Sequence, residues 1–352
     1  MKILVIQNKM IGDVLASSII CNNLKAMYPA AKVDYLIYKH TTSVVENNLN
    51  IDEIIVFEDK YRKSKFELFK FLLFIKKRKY DLVIDVYGKI ESNLVVLFSG
   101  AKKKIALYRK HSHFLFTDTL IESFKAKTNA GAAIDNRLNL LSPLDPKIKL
   151  DCKPKIYLTE TEIKNGKLIL VNNNVDLSRK IFMISIVGSE PRKTYPKLYM
   201  AEILDFIVQK TDATLLFNYI PNQYESVKEI VDLCKTATQK NCKTDLIPGN
   251  IRDFLSLTVH CNALIGNEGG AVNMAKAIDT PTFTIFSPWV IKEAWNSFEN
   301  ETTNLSVHLM DYKPEMYQGK NAFEFKDKAF EFYQEFYPYL FEKKLLKFIE
   351  FN

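Results

Sequence analysis

The sequence predicts an α/β chain of two Rossmann-like halves, and three observations predict it. Short β-branched runs alternate with amphipathic stretches along most of the chain, which implies parallel β-α-β units with right-handed crossovers. The alternation restarts after a polar, irregular stretch near the middle. At 352 residues roughly two domains are expected, because a single hydrophobic core stops growing near about 250–300 residues.

In chain order, residues 2–7 read as a strand and 14–27 as a helix, with Val14, Leu15, Ile19, Leu24 and Met27 at helical spacing. Strands follow at 33–37 and 53–57, a helix at 66–78, a strand at 82–86, a helix at 93–98 and a strand at 104–106. Residues 154–158 fit a last strand or a linker, and 160–171 a helix. The second half then reads as strand 181–187, helix 197–210, strand 213–218, helix 225–234, short strand 244–247, helix 251–260, strand 263–266, helix 270–278 and strand 282–286. These spans give domains at 1–157 and 158–322. The remaining tail, 323–352, crowds Phe330, Phe332, Tyr333, Phe336, Tyr337, Tyr339, Leu340 and Phe341 together. Pro338 is expected to break it into two helices, and its apolar stripe to pack at the domain junction.

Composition excludes several classes. Hydrophobic residues at 47% and charged residues at 26% rule out a largely disordered chain or a collagen-like repeat. The longest apolar stretches, such as 71–75, fall far short of the roughly 20 residues of a membrane span. The first residues, Met-Lys-Ile-Leu-Val-Ile, lack the apolar core and small-residue cleavage site of a signal peptide, so a cytoplasmic location is expected. Five scattered cysteines (Cys21, Cys152, Cys234, Cys242, Cys261) fit free thiols in a reducing compartment. Cys234 and Cys242 have no nearby His pair, so no zinc site is expected. The net charge of +8 is uneven: residues 1–150 carry 25 basic and 15 acidic side chains, leaving 24 and 26 for the rest. Nucleic acid is not the expected partner, since no recognition motif or aromatic stacking pattern accompanies the charge.

Three loops follow strands at the place where open α/β sheets bind ligands. The first is Gln7-Asn8-Lys9-Met10-Ile11-Gly12-Asp13-Val14. Gly12 allows close backbone approach, and Asp13 at a helix start is either a ligand-facing carboxylate or a plain N-cap. No GxGxxG fingerprint is present. The second is Gly266-Asn267-Glu268-Gly269-Gly270-Ala271-Val272-Asn273, where paired glycines open a helix whose free N–H groups suit a diphosphate. Glu268 would accept bonds from sugar hydroxyls beside it, although a plain tight turn reads equally well. The third is Gly188-Ser189-Glu190-Pro191-Arg192-Lys193-Thr194-Tyr195-Pro196. It combines a glycine, a hydroxyl and two adjacent cations suited to phosphate; a solvated basic loop is its bland alternative.

Taken in order, Gly12-Asp13-Val14, Tyr80-Asp81-Leu82-Val83-Ile84-Asp85 with Gly88, Gly188 followed by Lys193-Thr194-Tyr195-Pro196, and Gly266-Asn267-Glu268-Gly269-Gly270 leading to Thr280-Pro281-Thr282 resemble glycosyltransferase family 9, the lipopolysaccharide heptosyltransferases. The resemblance spans about residues 1 to 290. It implies a GT-B fold: two Rossmann-like domains with parallel sheets facing across a cleft, the first binding acceptor and the second a nucleotide diphosphate-sugar such as ADP-heptose. It also implies inverting transfer without a metal or resident cofactor, and no Asp-x-Asp cluster stands beside the donor loops. By the resemblance Asp13 is the general base, with Lys9 and Gly12 in the acceptor-side loop. Lys193 neutralises the departing diphosphate, beside Arg192. Gly188 and Ser189 lie at the phosphates, Gly269 and Gly270 offer backbone amides, and Glu225 matches a carboxylate that holds the ribose. The chain departs from the family where Asp-Thr-Gly and a later His become Glu268-Gly269-Gly270 and Asn273, which alters contacts to the donor sugar and leaves its identity open.

The scheme is chemically coherent. A positioned carboxylate assists deprotonation of an alcohol by about two to four powers of ten, and a fixed lysine with a helix N-terminus stabilises a leaving diphosphate. Lys and Arg from Arg62 to Lys79 flank Phe66, Leu68, Phe69, Phe71, Leu72, Phe74 and Ile75. That segment reads as a core helix with solvated ends, as a contact with the inner-membrane surface, or as both. The +10 half is then the one that would meet an anionic glycolipid acceptor. Two rivals stand beside the transferase. A sugar-nucleotide epimerase or oxidoreductase would need a nicotinamide fingerprint and a Tyr-x-x-x-Lys pair; no glycine-rich first turn exists, and Tyr195 and Lys197 do not have that spacing. A non-catalytic nucleotide-sugar or glycan binder is compatible with Glu268 and Asn273, but retained Asp13 and Lys193 oppose it. A monomer is expected.

Overall fold

Continuous β-branched runs make buried parallel strands, because a sheet covered on both faces needs apolar side chains on both. The computed structural model describes residues 1–352 and divides into two units, Met1–Tyr157 and Leu158–Asn352.

The first unit contains β1 (Lys2–Ile6), α1 (Ile11–Met27), β2 (Lys32–Tyr38), β3 (Glu53–Phe57), α2 (Lys60–Lys63), α3 (Lys65–Lys77), β4 (Leu82–Asp85), α4 (Ile90–Phe98), β5 (Lys103–Leu107), β6 (Asp118–Leu120) and α5 (Ala132–Asn139). Its six strands are parallel, in the order β3-β2-β1-β4-β5-β6. Leu4, Ile6, Leu36 and Val83 from one sheet face pack with Phe71, Leu72 and Ile75 of α3 and Val95 and Val96 of α4. The order reverses between β1 and β4, so the loops after those strands border the crevice where such sheets bind ligands.

The second unit contains α6 (Glu160–Asn172), β7 (Ile181–Ser185), α7 (Lys197–Thr211), β8 (Thr214–Phe217), α8 (Tyr224–Asp232), α9 (Thr236–Asn241), β9 (Cys242–Lys243), α10 (Ile251–Thr258), β10 (Ala263–Asn267), α11 (Gly270–Ala277), β11 (Thr282–Ile285), α12 (Lys292–Trp295), β12 (Asn304–Val307), α13 (Ala329–Gln334) and α14 (Glu342–Phe351). Its sheet, β12-β11-β10-β7-β8-β9, is again fully parallel. The reversal here lies between β7 and β10. The expected α/β architecture of two Rossmann-like units is therefore present.

Several local expectations need correction. Of the two readings of 154–158 the linker holds, since no strand forms there, whereas the short strand expected at 244–247 lies instead at Cys242–Lys243. Six elements were not legible: α2, α9 and α12 are four to six residues long, too short to show a helical period. β6 is short and begins with Asp118, and β12 follows a polar run, so neither shows the apolar stretch that marks a strand. On α5, Asn136 and Arg137 are buried beside Ala132 and Ile134, and these polar residues at inner positions hide its helical period. The tail does break at Pro338, where a 3-10 turn separates α13 from α14. It is counted with the second unit and contributes to that unit's core: Phe336, Phe341 and Phe348 are buried, and Phe341 and Phe348 pack on Phe283 of β11 at 6.1 and 5.5 Å between ring centroids.

Candidate functional site

In the first unit the chain turns from β1 directly into α1. The helix begins at Ile11 with Met10 at the N-cap and no side-chain cap, so Asp13 lies inside the first turn and is not the N-cap aspartate that the sequence allowed. Gly12 is likewise a helical residue. Met10-Ile11-Gly12 carries no capping side chain, which is why this turn reads as loop. An acidic residue in a first turn is favoured by the helix dipole. Asp13 is 7% exposed. Its Oδ1 accepts from Lys9 Nζ at 3.0 Å and from Arg137 Nη2 at 3.1 Å, and no bond falls on Oδ2.

Arg137, on α5, was not singled out in the sequence. Its Nε donates to Ser17 Oγ at 2.8 Å and its Nη1 to the Ala133 carbonyl at 2.6 Å, and Ser17 Oγ also accepts from Gln7 Nε2 at 3.1 Å. The guanidinium is thus locked, and it fixes one oxygen of Asp13 while the other accepts no hydrogen bond. On the neighbouring strand, Asp85 ends β4. Its Oδ1 accepts from the N–H groups of Tyr87 and Gly88 at 2.9 and 3.0 Å. Burial pushes its carboxyl up to about 6, against the opposing pull of those hydrogen bonds, Ser92 and the Arg109 charge. Polar atoms without hydrogen-bond partners collect along this edge: Gln7 Oε1, both terminal atoms of Asn8, and Asp85 Oδ2.

In the second unit the loop after β7 is shaped around Gly188. A Cβ at Gly188 would stand 2.2 Å from the Lys193 carbonyl oxygen, so only glycine lets the loop fold back on itself. The Gly188 N–H donates to Thr194 Oγ1 at 3.1 Å, and Thr194 Oγ1 donates to the Glu190 carbonyl at 3.0 Å. Asn267, the last residue of β10, ties the loop across the switch point. Its Nδ2 donates to the carbonyls of Ser185 and Ile186, both at 2.9 Å, and its Oδ1 accepts from Tyr195 N–H at 2.7 Å. Ser287 Oγ and Trp289 Nε1 hold the Arg192 carbonyl from the other side at 2.7 and 3.0 Å.

This frame places Lys193 Nζ 3.0 Å from Glu268 Oε1 and 5.5 Å from the centroid of the Trp289 ring. The contact with Glu268 is ionic: Oε1 is buried and has no hydrogen-bond partner. Directly after Glu268, Gly269 has φ +153° and Gly270 starts α11, and a Cβ added at either would meet nothing within 4 Å. The first N–H groups of such a helix have no intrahelical acceptor. Asn273 is half-buried one turn along α11.

The structure therefore brings Gly188, Lys193, Glu268, Gly269 and Gly270 together, and separately Lys9, Gly12 and Asp13. Ser189 is exposed, and Arg192 points its guanidinium to Asp327 at 3.3 Å. Glu225 is exposed on the first turn of α8 and makes no ion pair or hydrogen bond within the loop; the neighbouring contact is Gln223 Nε2 to the Gly188 carbonyl at 3.4 Å. Arg137, Asn267 and Trp289 are the residues that sequence reasoning missed as site components. Asn267 lay inside a quoted block, whereas Trp289 carried no local signal. No group of three His, Cys, Asp or Glu side chains gathers as a metal site. The arrangement in the second unit can hold a polyanion at a cation and a helix start, and that in the first can present one free carboxylate oxygen.

Comparison with known proteins follows the same lines. The profile of glycosyltransferase family 9 (heptosyltransferase) matches residues 68–321. Lipopolysaccharide heptosyltransferase 1 of Campylobacter coli is 22% identical over 293 residues, covering 81% of this chain and 84% of that protein. Among solved structures, the glycosyl transferase family 9 protein from Veillonella parvula DSM 2008 has a TM-score of 0.74 at 18% identity, covering 95% of this chain and 97% of that one. E. coli heptosyltransferase WaaC with ADP-2-deoxy-2-fluoro heptose has a TM-score of 0.63 at 14% identity, covering 87% and 93%. At these identities the structural likeness establishes the fold.

Proposed function

Because the chain belongs to glycosyltransferase family 9 and is a glycosyltransferase, we propose that it moves a heptose or related sugar from a nucleotide diphosphate-sugar to a lipopolysaccharide core or similar glycolipid, with inversion and without a metal. The observation that carries this reading is Lys193 held beside Glu268 at the open start of α11. A diphosphate arriving there competes with Glu268 for the ammonium. Lysine then neutralises the phosphate oxygens, and the freed carboxylate accepts hydrogen bonds from donor hydroxyls. ADP-heptose is the first donor to try, since a heptosyltransferase of this fold has been solved with an ADP-heptose analogue.

In the proposed transfer, Asp13 Oδ2 takes the proton of the acceptor hydroxyl as its oxygen bonds to the anomeric carbon. The bond from that carbon to the phosphate oxygen breaks, and its electron pair leaves with the nucleoside diphosphate, whose charge Lys193 and the α11 N–H groups stabilise. Arg137 orients the base by occupying Oδ1. No helix is long and apolar enough to cross a membrane, and a cytoplasmic site of action is part of the proposal.

The test combines a thermal-shift screen of nucleotide diphosphates and nucleotide-sugars with turnover on a deacylated lipopolysaccharide oligosaccharide. ADP-heptose should raise the melting temperature and release ADP only when the oligosaccharide is present. Lys193→Ala should weaken ADP binding about tenfold or more. Unchanged affinity by calorimetry would remove that lysine from the donor site. Stabilisation by uridine or guanosine diphosphate alone would redirect the donor.

A further inference from the structure

One helix of the first unit is apolar on both sides. Phe71, Leu72 and Ile75 of α3 are buried in the core. On the opposite face, at spacings of three, four and seven residues, Phe66, Phe69 and Leu73 are 66, 50 and 37% exposed, and Phe74 beside them is 40% exposed. Phe69 also meets the half-buried Phe98 of α4, with ring centroids 6.4 Å apart. A helix that needs only one apolar stripe to fold carries a second stripe turned to solvent, and contiguous exposed apolar surface marks an interaction site.

The charges around the stripe select the partner. Lys63, Lys65, Lys76, Lys77 and Lys79 are exposed and make no ion pair. Lys70 lies 4.1 Å from the centroid of the Phe66 ring and pairs with Glu67, the one acidic residue on α3. A protein groove would be expected to supply carboxylates at fixed places opposite specific lysines. Here the cations form a diffuse collar around large aromatic side chains, the pattern that seats an amphipathic helix at the boundary between headgroups and acyl chains. We propose that the outer face of α3 docks this protein on an anionic lipid bilayer, Phe66, Phe69 and Leu73 entering the interface and the lysines holding the headgroup phosphates. This inference stands on the exposed side chains alone and does not depend on the transfer chemistry.

The experiment is co-sedimentation of the full chain with vesicles, using phosphatidylglycerol mixed with phosphatidylethanolamine against pure phosphatidylcholine. Binding should be confined to the anionic vesicles and should fall about tenfold or more on going from low to high salt, because the lysine contribution is screened. The double variant Phe66→Ser/Phe69→Ser should cut the partition coefficient at least about tenfold, with unchanged circular dichroism and unchanged turnover of a water-soluble acceptor. Equal binding of the variant and the wild type, or no pelleting of the wild type, would overturn the proposal. So would a concentration-dependent dimer in sedimentation velocity that the same substitutions abolish, since the face would then belong to a second copy of the chain.

Discussion

The pairing of Asp13 with Arg137 makes a prediction that separates stability from chemistry. Both side chains are 9% exposed and 3.1 Å apart. Arg137→Leu leaves a buried carboxylate with Lys9 as its remaining partner, and the Lys9 side chain is 51% exposed, so its charge is screened. Removing one partner of a buried pair costs about 3–5 kcal/mol; with Lys9 still in place, about 3 kcal/mol is expected. For a unit of this size each kcal/mol shifts the midpoint by about 2–4 °C, so the first unit should melt about 6–12 °C lower. Asp13→Leu strands the guanidinium and should cost a similar amount. The double variant Asp13→Leu/Arg137→Leu removes both charges and should recover most of the loss, since apolar replacement of a buried pair is often neutral or stabilising.

Activity should behave differently. Loss of the base costs about two to four powers of ten in kcat, and the double variant should stay as inactive as Asp13→Leu however well it folds. Thermal denaturation by circular dichroism and steady-state transfer, assayed below the lowest midpoint, measure the two quantities on the same samples. Transfer that returns together with stability in the double variant would refute Asp13 as the base. An Arg137→Leu protein that melts like wild type would refute the assigned role of the pair in the fold.

Further outcomes follow from single contacts. Gly188→Ala puts a methyl group 2.2 Å from the Lys193 carbonyl oxygen; the loop must move, and ADP affinity by calorimetry should fall about tenfold or more, an unchanged value placing the nucleotide elsewhere. Glu162 closes a capping box with Thr159 and receives Nε and Nη2 of Arg252, both at 2.7 Å, and the guanidinium bond holds its carboxyl down at about 2 from an ordinary 4.5. A depressed folded value contributes stability that is complete above pH 4.5 and lost as pH falls through about 2. Glu162→Gln should therefore flatten the urea midpoint of the second unit across that window, and an unaltered slope would count against the pair. Burial lowers the Lys276 ammonium to about 8 from 10.5, although its Nζ donates to the Ser297 carbonyl at 2.6 Å. The unfolded chain then holds the proton more tightly, so stability due to this group rises with pH between about 8 and 10.5. Lys276→Met should raise the melting temperature at pH 7, with an advantage that shrinks above pH 8; a lower melting temperature at pH 7 would show that the Ser297 bond outweighs the buried charge.

Much of the fold was legible because each piece of evidence was local. The apolar run 263–266, the glycine pair and the period of the following helix sit within one short window, and they place β10, Glu268 and α11 with little error. The same locality explains the misreadings. Asp13 was allowed as an N-cap because Met10-Ile11-Gly12 offers no capping side chain, yet the backbone is already helical there. β6 and β12 escaped because short strands with polar flanks are held by neighbours in the sheet and not by their own pattern.

The sequence by itself determined two Rossmann-like units, the two glycine-bearing loops after β7 and β10, the asymmetry of charge, and the family to which these blocks belong. Only the tertiary structure decided which side chains meet. Arg137 reaches Asp13 across 124 residues of chain, and Asn267 fastens the β7 loop from β10, because strand order brings the carboxyl ends of β7 and β10 side by side. The pairing of Lys193 with Glu268 and the second apolar face of α3 are likewise tertiary facts. Backbone period is set by neighbours a few residues away, whereas the partner of a charge and the exposure of a ring depend on which elements pack together, and no local window of sequence contains that choice.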